Sequence, residues 1–200
     1  MIAAHPEYLT DYRLMRALLH EDRADAVEML LDLGASPDLA EPGTGARALH
    51  MAAASNALRS VALLIARGAD VDARDAIYHS PPLGWASHFQ HARMIELLGR
   101  HSRDVWHLTY TGQVERLRTV LAEEPERARA VNDGDGRTPL MWLPGDAGQA
   151  LEIAQLLVEA GADPALQALD GRTAVEIADA RGLDAVARHL RISASGSMDG

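Results

Sequence analysis

Phrases recur along this chain at a spacing of 34 residues, and that period limits its fold more than any other feature. Leu49 in RALH and Leu83 in PPLG lie 34 residues apart, as do Gly34 in LLDLGASPD and Gly68 in IARGADVDA. The second phrase returns as LVEAGADPA around Gly161. A period in the low thirties that holds two short helical patterns and a turn means a solenoid. One such unit cannot cover its own apolar side and must stack on a neighbour.

Within one period the residues RALHMAAASN (47–56) read as a short Ala-rich helix, whose small side chains allow a neighbouring backbone to approach closely. A tight turn follows. ALRSVALLIARG (57–68) then places Leu58, Val61, Leu64 and Ile65 on one helical face. Gly68 is expected to end that helix in a left-handed conformation, and ADVDARD (69–75) leads into an extended polar connection. Asp133-Gly134, Asp135-Gly136 and Asp170-Gly171 supply hairpin-turn signals later in the chain. Leu30, Leu31, Leu63, Leu64, Leu97, Leu98, Leu156 and Leu157 read as core.

Composition narrows the chemistry. There is no Cys, which excludes disulfides, thiolate zinc sites and thiol nucleophiles. All 19 basic residues are Arg, so Schiff-base chemistry, a phosphate-loop lysine and a Ser-Lys dyad are excluded too. The formal charge is -10, with 13 acids in the first hundred residues and 16 in the second against 9 and 10 Arg. Acidity therefore belongs to both halves, and no basic patch is available for nucleic-acid binding. The Lys-free, Ala- and Arg-rich composition points to a bacterium with a GC-rich genome. The opening MIAAHPEYLTDYRLM has no basic stretch followed by an apolar one, and no run reaches a membrane span. The expectation is a cytoplasmic protein that binds neither membrane nor nucleic acid. No GxSxG is present, no catalytic residue stands out, and neither a cofactor nor catalysis is expected.

The recurring phrases resemble the ankyrin repeat, whose pattern runs roughly D-x-x-G-x-T-P-L-H-x-A-A, a short turn, an apolar helix and then G-A-D. The likeness covers about residues 8–190 and implies an all-α solenoid of stacked helix-turn-helix units with short hairpin loops. Six units follow from it: 8–39, a degenerate cap; 40–73, with Arg47-Ala48-Leu49-His50 standing for T-P-L-H; 74–104; 105–132; 133–165, with TPLMWLP (138–144); and 166–190, a C-terminal cap. Together they make a single domain over 1–192, with 193–200 a disordered tail. Two departures stand out. From Leu83 to Val105, its counterpart, is only 22 residues, so the finger-like hairpin between the third and fourth units is missing and an irregularity is expected near 99–106. PGDAGQ (144–149) adds residues between the helices of the fifth unit, with Pro144 ending the first helix early.

The resemblance implies a protein-protein interaction module that presents its hairpin tips and first helices as a preformed concave groove, so that little entropy is lost on association. Tip positions that vary in the family correspond to Gly43, Thr44 and Ala46, then to Ile77, Tyr78 and Ser80, then to Gly134, Asp135 and Arg137. The variable ends of first helices correspond to Ala54-Ser55, His88-Phe89 and Tyr110-Thr111. The third unit thus gathers Ile77, Tyr78, His79, Ser80, His88 and Phe89, an apolar group at normally polar tips. Thr44, Tyr110, Asp135 and Arg137 complete the expected partner-binding set. Trp85 and Trp142 share one slot and read as packing residues.

Two other readings stand beside this one. An inhibitor or immunity-type regulator would use the acidic surface to mask a basic site on an enzyme or toxin. A metal-binding protein would draw on His79, His88, His91, His101 and His107, although His91 occupies the family's turn position, His50 its T-P-L-H position, and no metal site is expected.

Overall fold

A computed structural model describes residues 11–196. Where the sequence predicts one domain, the chain divides into two compact units, one ending at Ser102 and one beginning at Arg103. Among the described residues the structure is helical without β-strands; two isolated antiparallel bridges, Ala40 to Arg47 and Gln167 to Thr173, mark hairpin turns.

The first unit holds three helix pairs: α1 (Tyr12–His20) with α2 (Ala24–Asp32), α3 (Ala48–Ala54) with α4 (Leu58–Ala66), and α5 (Pro82–His88) with α6 (Ala92–Gly99). α3 packs between α1 and α5, while α4 lies between α2 and α6, so the unit has two helical layers. The Ala-rich sequence of α3 explains its place. Ala48, Ala52 and Ala53 are wholly buried, as is Ala86 on α5, and methyl groups let these helices close without a void. Leu49, Val61, Leu64, Leu83, Met94 and Leu98 fill the space between the layers. Each such side chain contributes about 1.5–3 kcal/mol by leaving water.

Polar atoms tie one pair to the next. Asp22, in the turn between α1 and α2, accepts from Ser60 N (2.9 Å) and Ser60 Oγ (2.7 Å), capping the start of α4. Arg67 donates to Asp32 (2.6 Å) and Glu28 (2.9 Å) on α2. Gly68 takes φ +83°, the left-handed end expected of α4. The third pair ends differently: Arg100 keeps φ -63°, the N–H groups of His101 and Ser102 return to Leu98 O, and α7 starts at Val105. Residues 67–81 separate α4 from α5, yet only 100–104 separate α6 from α7, so no finger forms there.

The second unit runs α7 (Val105–Tyr110), α8 (Val114–Glu123), a 3-10 turn (Pro125–Arg129), a second 3-10 turn (Pro139–Met141), α9 (Ala147–Glu159), α10 (Ala174–Ala180) and α11 (Asp184–Gly196). The turn at 139–141 stands between α7 and α10 in one layer, and α9 lies between α8 and α11 in the other. That turn is all that remains of a first helix, which stops even before Pro144. At the start of α10, Thr173 N–H donates to the Glu176 carboxylate (2.9 Å) and Thr173 Oγ1 accepts from Glu176 N (3.3 Å). Thr138 has Met141 three residues on, which offers no such acceptor, and its buried hydroxyl has no partner. Asp146 caps α9 by accepting from Gln149 N (2.9 Å), so 147–149 are helical where a loop was expected. Arg181 holds the remaining bulge through Leu143 O (2.7 Å) and Pro144 O (3.0 Å). The tail expected from 193 is helical through Gly196, and 197–200 lie outside the described residues.

No helix among the described residues is long and apolar enough to cross a membrane. A left-handed residue recurs in the turn inside the pairs, supplied by Asp22, Asn56 and Gln90 in the first unit and by Gly112 and Gly182 in the second, whereas the connection 142–146 has none. At Gly182, φ is +70° and a Cβ would meet nothing within 4 Å, so strain there is purely conformational. Gly182→Ala should therefore cost about 1 kcal/mol in urea unfolding and Gly182→Asn clearly less.

Candidate functional site

The hairpin that enters α5 is organised by one buried carboxylate. Asp75 is 1% exposed, and its oxygens accept from Tyr78 N (2.6 Å), Ile77 N (2.9 Å), Ser80 N (3.2 Å) and the Trp85 indole Nε1 (3.0 Å). Burial alone would push this carboxyl up. The donors, led by Tyr78 N, outweigh that effect and hold it below the ordinary carboxylate value. The result is a tight loop whose backbone is fixed while its side chains point outward. Arg74 Nη1 donates to His79 O (2.6 Å), and His79 itself sits at φ +49°.

This loop is locked to the repeats before it. Ala76 N donates to Thr44 O (2.7 Å), joining the two tips, and the Thr44 hydroxyl is held by Glu41 (2.7 Å). At Gly45 a Cβ would lie 3.2 Å from Ala76 N, so the absence of a side chain permits this approach. His50 supplies the second lock. Its Nδ1 accepts from Arg47 N (3.0 Å), which leaves Nε2–H to donate to Ser80 O (3.0 Å). Trp85 packs edge-on against His50 and Tyr78, with ring centres 5.5 and 6.3 Å apart.

What these locks present to solvent is apolar. Tyr78 is 73% exposed, Ile77 56% and Phe89 48%. Phe89 N donates to Trp85 O, so the two rings follow one another along the same side of α5. Phe89 also stacks on His91, whose Nε2 reaches Ala54 O (3.0 Å), and it meets His88 at 5.1 Å. Thr44, Ile77, Tyr78, His79 and Ser80 are therefore brought together at linked tips, with His88 and Phe89 at the far end of the adjoining helix. Tyr110, Asp135 and Arg137 belong to the second unit, where Tyr110 is 51% exposed and Arg137 pairs with Asp135 (3.5 Å) and Asp170 (3.7 Å). His88 and His91 converge on Phe89, and no group of three His, Asp or Glu among the described residues is placed to hold a metal ion.

Repeated pairs, left-handed turns within most of them, tips cross-linked by backbone and a His that spans to the next repeat agree with the comparisons. A model for three consecutive ankyrin repeats matches residues 14–109, and one for a single ankyrin repeat matches 135–168. The chain belongs to the ankyrin repeat family. An ankyrin repeat domain of known crystal structure from Acinetobacter baumannii AYE aligns with a TM-score of 0.65 and 25% identity, covering 92% of this chain and 98% of that one. The Danio rerio ankyrin repeat and SAM domain-containing protein 6 is 29% identical over 167 residues, which are 78% of this chain and 22% of that protein. The chain thus spans about a fifth of that relative's length.

Sequence reasoning passed over Asp75, because a carboxylate in a turn is ordinarily solvated. Its signal is a Trp ten residues on, and Asn132 and Trp142 repeat that spacing. Leu169, 77% exposed at a tip of the second unit, was also overlooked.

Burial holds His50 below its ordinary value of 6.5, against the opposing pull of Ser80 O and Asp75. Below that pH the unfolded chain takes up a proton that the folded chain refuses. The stability His50 confers is thus complete above about pH 6.5 and is lost on acidification, by up to about 1.4 kcal/mol per pH unit. Urea unfolding between pH 7.5 and 5 should show this decline, and His50→Gln, though less stable throughout, should show a shallower one.

Proposed function

We propose that this chain binds a partner protein through the tips and first helices of its first unit, with Tyr78, Ile77 and Phe89 as the principal contacts. Ankyrin repeats are generally protein-protein interaction modules, and the family is typically a non-catalytic scaffold. The observation that carries the proposal is the combination at Tyr78: a mostly exposed aromatic ring on a backbone fixed by Asp75. An anchor of that kind loses little entropy on binding, and exposed aromatic side chains dominate interface energies. Thr44, His79, Ser80 and His88 frame the patch, with Trp85 half-buried beneath Tyr78.

Electrostatics sets the character of the contact. Within the patch itself Asp75 is buried among four donors, and Tyr78, Ile77 and Phe89 are what it offers to a partner. Binding through this patch should therefore depend weakly on salt, unlike masking of a basic site by the acidic surface.

Tyr78→Ala combined with Phe89→Ala tests the proposal, since Tyr78 is mostly exposed and Phe89 about half exposed. Affinity capture from native lysate with the wild-type chain, the double variant and Ile192→Ala, a 68% exposed control on α11, separates the outcomes. Proteins retained by wild type and the control should be lost from the double variant, with its thermal unfolding unchanged. Equal retention by all three would refute the assignment of this patch.

A further inference from the structure

The second unit carries an aromatic cluster that the Tyr78 patch does not explain. Trp142 is surrounded by Trp106 at 5.8 Å, His107 at 6.0 Å and Tyr110 at 6.0 Å, with interplanar angles of 79°, 67° and 71°. All three pairs are edge-on and none is stacked, so each contact covers a face of at most one of its two rings. His107 is fixed by Asp104, which accepts both its N–H (2.9 Å) and its Nδ1 hydrogen (3.1 Å). Tyr110 is half exposed, and Trp106 and Trp142 are partly so.

Trp142 differs from Trp85 in one respect that matters. Asp75 accepts the Trp85 N–H, but the residue at the same offset before Trp142 is Asn132, whose Oδ1 is taken by Gly134 N (2.7 Å). The Trp142 N–H has no acceptor, so no hydrogen bond fixes the ring. The hairpin tips of this unit carry more acid than base, while Arg181 is bonded to Leu143 O and Pro144 O, just past Trp142 in the chain. Asp133, Asp135, Asp170 and Glu176 lie on the tips and at the start of α10 against Arg137 and Arg172, both of which are already paired with these carboxylates. Asp133 is exposed, with no ion pair among the described residues.

We propose that this cluster is a second binding site, for an arginine side chain in a basic segment of a partner protein. Ring faces attract a cation through their quadrupole, and a guanidinium lies flat on an indole or phenol better than an ammonium does. The flanking carboxylates steer a basic segment to the rings and would repel an acidic one. The site does not depend on the Tyr78 patch.

The probe is a blocked pentapeptide alternating glycine and arginine, titrated into the full chain while the indole N–H signals of Trp85, Trp106 and Trp142 are followed by NMR. The signals of Trp142 and Trp106 should move and that of Trp85 should not. The citrulline counterpart, the same shape without charge, should bind about tenfold more weakly, and so should the arginine peptide to Tyr110→Ala at unchanged thermal stability. Tyr78→Ala should bind the peptide as wild type does. Equal affinity for the arginine and citrulline peptides, tighter binding of a lysine peptide, movement confined to Trp85, or an undiminished affinity in Tyr110→Ala would overturn the proposal.

Discussion

No helix pair of this protein can bury its apolar side alone, and the rest of the structure follows from that. α3 shows it most clearly: Ala48, Leu49, Ala52 and Ala53 are all withdrawn from water only because α1 and α5 close on it from both sides. Stacking at alanine distance brings successive hairpins within reach of a single backbone hydrogen bond. Ala76 N therefore meets Thr44 O in the first unit, and Leu169 N meets Asp135 O (2.9 Å) in the second. Tip positions are thus set by helix packing.

That dependence explains how small polar irregularities become recognition features. Where Asp75 satisfies its hairpin and the following Trp together, the loop is rigid and displays Tyr78. Where Asn132 stands instead, the Trp142 N–H is left without an acceptor and a ring cluster forms around it. Carboxylates crowd the tips of both units: Arg47 is shared by Asp38 and Asp70 in the first, and Arg137 and Arg172 meet Asp135 and Asp170 in the second.

Most of the architecture was legible because its signals are local and repeated. The period, the Ala-rich first helices and the left-handed Gly68 each follow from residue types within one unit. Two structural features were not legible as such. The first helix of the fifth unit shrinks to a 3-10 turn, with the Thr138 hydroxyl unpaired at its start and Pro144 three residues past its end, and hydrophobic spacing does not register this. The final helix runs to Gly196 although SASG has poor helical propensity, a continuation that residue types alone do not signal. Of the site, exposure at Ile77, Tyr78 and Phe89 could be anticipated from their position at variable tips. The burial of Asp75 could not, since it depends on donors gathered by the fold of the loop. Nor could the grouping of Trp106, His107 and Tyr110 about Trp142, which joins residues from two repeats.

Recognition through these tips requires a surface that is formed before any partner arrives. Backbone amide hydrogen exchange in the free protein tests this most directly, at Ala76, Tyr78 and Ser80, whose N–H groups are committed to Thr44 O and to Asp75. These amides should exchange many times more slowly than an unstructured peptide, with Ala76 approaching the protection of Val61 in α4. Exchange at the unstructured rate across the whole 76–80 loop would mean that the tips order only on binding, and would contradict the account.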